Sequence, residues 1–87
     1  MKIKDGLILK EVADSFIVVA VGEAVKNFNG IINLNETGAF LWKILATGAT
    51  EEELVKKLLE EYDVDEKIAK ADVELFVKKL QEANLVK

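Results

Sequence analysis

The chain has 87 residues and a mass of 9.7 kDa, which is room for one domain over 1–87 and one modest core. It lacks cysteine, histidine, arginine and proline, so disulfides, thiolate or imidazole chemistry and the usual zinc sites are excluded. Residues 1–47 carry five lysines and five acids; residues 48–87 carry seven lysines and eleven acids, so the net charge of −4 belongs to the second half, a poor match for phosphates.

The first third reads as strands. Segments 7–12 and 16–21 are rich in branched side chains, and Ala13-Asp14-Ser15 joins them as a short polar connection. The second of these runs is apolar on both faces, as expected of a strand with neighbours on each side or cover above and below. Gly22-Glu23 turns the chain, and 28–34 has the composition of a third strand, with Gly30 marking a weak point or a close backbone approach.

From Asn35 the period becomes helical. Asn35 caps a nearly apolar helix running to about Ala46, with Gly48 at its C′ position. Thr50 through Glu53 forms a capping box for a second helix, whose buried face is Leu54, Val55, Leu58, Leu59 and Tyr62. Asp65 caps a third helix to about Ala83, where Asn84 can take the left-handed conformation and Leu85 can fold back. The expected fold class is α+β: a three-stranded antiparallel sheet packed on a three-helix, winged-helix-like cluster, in the order βββααα.

The third helix carries more apolar surface than one core stripe needs. Ala69, Val73, Phe76, Leu80 and Ala83 recur at alternating spacings of four and three and share a narrow arc. Beside them on one flank lie Ile68, Asp72, Leu75 and Lys79. Two readings fit this excess: a wide core face against the sheet, or a shallow groove with an apolar floor and a charge of each sign at its edges. If the strands form a meander, 28–34 is the free edge nearest the helices, and an open edge accepts an extended peptide.

Several segments, in order, resemble one family. Asn33-Leu34-Asn35-Glu36-Thr37-Gly38-Ala39-Phe40-Leu41-Trp42 is similar to the LNxTGAxxW-like signature of the PqqD family. Gly48 through Leu54, Leu59 through Tyr62, and Asp72 through Phe76 follow in the family's order. Ala83-Asn84-Leu85 stands where the family ends its last helix with Gly-Leu.

The resemblance implies a non-catalytic, cofactor-free RiPP recognition element. Its partners would be the leader segment of a ribosomally made precursor peptide and a modifying enzyme of the radical SAM type. The leader adds as a strand, which by position places Phe28, Asn29, Ile31, Ile32 and Asn33 on the edge and Ile68, Asp72, Leu75 and Lys79 across the groove. Segment 21–28 lacks the Pro-Glu-Gly-type turn associated with the quinone pathway, so an adaptor of another peptide-maturation pathway is the expectation.

Two alternatives stand beside it. One is a winged-helix DNA binder, but segment 65–84 holds five acids, four lysines and no arginine, and no strand pair follows to make a wing. The other is a small homodimeric interaction domain paired through the same strand edge, so a monomer or weak homodimer is expected. No apolar run approaches the ~20 residues that cross a bilayer, and Asp5 precedes any signal-like stretch, so the expected setting is cytoplasmic, without membrane or nucleic acid. Asp63-Val64-Asp65-Glu66 lacks the sixth-position glycine of a calcium loop and reads as a solvated helix entrance.

Overall fold

Strand β1 (Leu7–Val12) turns back into β2 (Ser15–Ala20) in the computed structural model, which describes residues 1–26, 28 and 30–87. Only Ala13 and Asp14 make the turn, since Val12 already faces Ser15, and Ala13 accepts a φ of 56° to close it. A short 3₁₀ turn over Gly22–Lys26 follows, then β3 (Ile32–Leu34). The sheet order is β1-β2-β3 with both pairings antiparallel, so β3 is an edge strand. Helices α1 (Glu36–Leu45), α2 (Glu51–Glu61) and α3 (Glu66–Glu82) complete the expected βββααα order.

The third strand is shorter than the composition of 28–34 predicts. Its ladder ends at the Val18–Ile32 pair. Phe28 is not on the strand: its N–H donates to the Ala24 carbonyl at 2.9 Å, which continues the local turn instead of joining the sheet. Asn29, expected on the same edge, lies outside the described residues.

Helix starts follow the sequence closely, because each cap satisfies backbone donors that the first turn leaves free. Asn35 Oδ1 accepts from the Gly38 N–H at 2.7 Å. Thr50 and Glu53 exchange both bonds of a capping box, at 3.0 and 3.1 Å. Asp65 accepts from the Lys67 N–H at 2.9 Å. At the far end of α3, Asn84 adopts a φ of 61° and the Leu85 N–H reaches the Leu80 carbonyl at 2.9 Å, which buries Leu85.

One apolar cluster joins the sheet to all three helices. Val18, Leu34, Leu41, Trp42, Leu45, Leu54, Leu58, Val73, Val77 and Leu80 are buried in it. Trp42 is therefore core, and Phe40 meets Tyr62 edge to face with ring centres 5.5 Å apart. One contact has no signal in the sequence pattern: Ile3 is buried and pairs with Val86, tying the first residues to the last. Lys4 N–H to the Leu85 carbonyl and Lys87 N–H to the Lys2 carbonyl complete that tie, at 2.9 and 2.8 Å.

Candidate functional site

Helix α3 divides as its sequence stripes predict. Ala69, Val73, Phe76 and Leu80 are buried, and Ala83 is half-buried. Val77, alone on the flank opposite Ile68 and Leu75, is buried as well, so the core extends to that side. Ile68 and Leu75 are 54% and 68% exposed. Of the two readings the sequence leaves open, the wide core face is therefore excluded. The extra apolar side chains face solvent.

A hollow of about 360 Å³ lies between this flank and β3. Asn33 and Leu34 of β3 form one wall, and Asp72, Leu75, Phe76 and Lys79 of α3 form the other. The start of α1 closes one end, where Gly38 lies close: a Cβ there would sit 3.2 Å from Asn35 Oδ1 and 3.4 Å from Leu34 Cβ, so the Asn35 side chain would have to give by a few tenths of an ångström. Leu41 lies at the floor, and both Leu41 and Phe76 belong to the core cluster. The rim carries one acid and one lysine. The arrangement has room for an apolar side chain from an extended segment, with polar groups to orient it.

Four of the nine expected residues line this hollow together: Asn33, Asp72, Leu75 and Lys79. Ile32 packs half-buried on the core, as its position in the pleat requires. Ile31 precedes β3 and is 64% exposed. Ile68 stands two helical turns before Leu75 on the same flank but outside the hollow. Phe28 lines a different hollow of about 310 Å³ with Leu7, Ala24 and Leu85.

Sequence reasoning missed Asn35 and Thr37, which also line the hollow. Asn35 is readable as a cap; that a cap at the β3–α1 junction must also border the groove follows only once β3 is known to face α3.

A larger hollow, about 720 Å³, lies elsewhere, between α2 and α3. Glu51, Glu52, Glu60 and Glu74 stand around Val55 and Leu59 there, the solvated faces of two neighbouring helices. Among the described residues no charged or polar side chain is buried, and no helix is long and apolar enough to cross a membrane.

Comparison with known proteins gives three findings. A family model described as Coenzyme PQQ synthesis protein D (PqqD) matches residues 16–86. A solved structure of TbiB1 in complex with the TbiA(beta) leader peptide superposes with a TM-score of 0.78 at 24% identity, covering 100% of this chain and 95% of that one. Lasso peptide synthetase B1 complexed with the leader peptide gives 0.74 at 19% identity, covering 97% and 93%. No relative is found among curated proteins. At these identities the two structures speak to the fold.

Proposed function

The chain belongs to the PqqD family, and from that premise we propose that it is a non-catalytic, cytoplasmic adaptor for a precursor peptide. The leader segment adds as a fourth strand along β3 and lowers apolar side chains into the hollow over α3. The domain then presents the rest of the peptide to a modifying enzyme, of the radical SAM type that the sequence resemblance implies. The carrying observation is that one hollow joins an open strand edge to a solvent-facing Leu75. The two similar structures, both complexes with leader peptides, support the same reading.

The geometry supplies two separate contributions. Unpaired backbone groups on β3 give register-setting hydrogen bonds to any extended segment. Selectivity comes from the side chains, because alternate residues of the added strand point toward α3. Each apolar side chain buried there contributes about 1.5–3 kcal/mol gross, from which ordering of the peptide is subtracted. A dissociation constant near 1 μM, about −8 kcal/mol, is the expected scale. Asp72 and Lys79 at the rim act on selectivity and salt dependence more than on affinity.

The same surface argues against duplex binding. The exposed side of α3 has no arginine and bears Glu66, Asp72 and Glu74 among its lysines, and only the Val86 pairing follows it.

An amide-shift titration with the N-terminal segment of the precursor encoded beside this protein tests the proposal. Shifts are expected at 31–34 and 72–79. Leu75→Asp is expected to weaken binding at least tenfold with an unchanged far-UV circular dichroism spectrum. Saturating peptide without shifts at β3, or a Leu75 variant that unfolds, overturns the assignment.

A further inference from the structure

Helix α2 repeats the imbalance of α3. Leu54 and Leu58 are buried in the core, while the row beside them is only partly covered: Val55 is half-buried and Leu59 is 36% exposed. Four residues apart, these two side chains form one ridge along the helix. With Val73 of α3 they make the apolar lining of the hollow of about 720 Å³ between the two helices. On α2 that hollow runs from Glu51 to Glu60, a length of roughly 13 Å at the helical rise per residue.

The border of this lining is acidic. Glu51, Glu52 and Glu60 from α2 and Glu66 and Glu74 from α3 stand there against Lys56 and Lys70. Five acids less two lysines leave three negative charges at one opening, out of a net charge of −4 for the whole chain. Local pairing does not quench them. Lys70 lies 3.7 Å from Glu66 and Lys57 lies 3.9 Å from Glu60, both pairs in water, and among the described residues Glu51, Glu52 and Glu74 have no ion pair. The helix dipole accounts for Glu51 and Glu52 in the first turn of α2. It opposes Glu60, in a last turn that holds no base.

We propose that the α2–α3 hollow is a docking groove for a basic amphipathic helix of a partner protein.

Charge selects the occupant. Another copy docked through the same groove would set glutamates against glutamates, and a nucleic acid would bring phosphates to them. A segment with lysine or arginine on both sides of an apolar ridge meets the acids with opposite charge, while its aliphatic side chains cover Val55 and Leu59. The walls select a helix. Both are helices whose backbone groups are paired within themselves, so an extended segment finds no main-chain partners there. A third helix laid along the pair sets its ridge between them over two to three turns.

This groove is separate from the hollow beside β3. Helix α3 turns Asp72, Leu75 and Lys79 to one and Glu66, Lys70 and Glu74 to the other, on opposite flanks. Both can therefore be filled at once, and the proposal does not rest on the peptide-binding reading.

The test is a titration of the full chain with a synthetic, end-blocked peptide of about 15 residues, long enough to hold a helix. Its leucines form one stripe at spacings of four and three, with lysines on both flanks and alanine elsewhere. Amide shifts are expected at 51–60 and 66–74. A peptide of the same composition with its leucines scattered should bind at least tenfold more weakly, and added salt should weaken both. Glu60→Lys combined with Glu74→Lys should weaken the striped peptide at least tenfold with an unchanged far-UV circular dichroism spectrum; the shift map of the unmodified protein stands even if that variant fails to fold. Equal binding of the two peptides, shifts spread over acids elsewhere or centred on 31–34, or a folded double variant that binds as before each overturns the groove. Loss of leader binding with the shifts at 51–60 intact would instead strike the proposed function and leave the groove standing.

Discussion

Val73 and Leu75 stand two residues apart on the same helix and have met opposite fates. Val73 is fully buried and Leu75 is 68% exposed. Both are aliphatic, so side-chain type does not decide between them. What decides is the element opposite. The arc of Ala69, Val73, Phe76 and Leu80 meets the core, whereas the arc of Ile68 and Leu75 faces the end of a strand with three paired residues. The hollow beside Asn33 and Leu34 is left without cover by the chain itself, and on the proposed function a peptide strand supplies it.

The sharpest way to break this comparison is to truncate one residue on each arc. Leu80→Ala should destabilise the fold by about 2–5 kcal/mol, read as a lower urea midpoint, because it leaves a cavity in a packed core. Leu75→Ala should change stability by no more than about 0.5 kcal/mol, since its side chain is already in water. Equal losses at both sites would show that Leu75 belongs to the core. The same Leu75→Ala should cost leader affinity roughly tenfold, equivalent to about 1.4 kcal/mol, which is the lower end of burying one aliphatic side chain.

A smaller effect tests whether the groove wall and the helix start are one structure. Asn35→Ala should destabilise by about 1 kcal/mol through loss of the cap to Gly38, and should weaken leader binding as well because the same residue borders the hollow. Asn35→Asp keeps an acceptor for the Gly38 N–H and should restore stability. Thermal denaturation and the peptide titration, run on both variants, separate the two contributions.

Local signals made the helices legible. Asn35, Thr50 and Asp65 each announce a helix start through side-chain chemistry that acts within three residues, and all three cap as expected. The two stripes of α3 are likewise a property of spacing alone. What spacing cannot say is where a neighbouring element ends. Phe28 and Ile31 have equal claim to a strand by composition; the ladder stops at Ile32 although β2 runs on to Ala20, and Phe28 donates to the Ala24 carbonyl in a local turn instead. The Ile3–Val86 pairing is beyond local reading for the same reason, since it joins residues at opposite ends of the chain. The apolar run of β2 is legible as a strand with neighbours on each side or cover on both faces, and β2 lies between β1 and β3.

The smallest expected effect lies on the covered side, at Tyr62. Its phenol is pushed above the ordinary value of 10.0, chiefly by burial and further by the carboxylates of Glu36 and Glu61. The folded state therefore holds this proton more tightly than the unfolded chain does. Below pH 10 the phenol is neutral in both states and stability is unaffected; as pH rises through 10 the unfolded form is favoured, and stability declines. Tyr62 is the sole tyrosine, so tyrosinate absorbance reports it without overlap. Its midpoint should lie above 10.0 in the native protein. Glu36→Gln should lower that midpoint slightly and leave most of the rise, because burial is the larger cause. A native midpoint at or below 10.0 would mean that Tyr62 is not packed edge-on against Phe40, and that the corner between α1 and α2 is as open as the flank of Leu75.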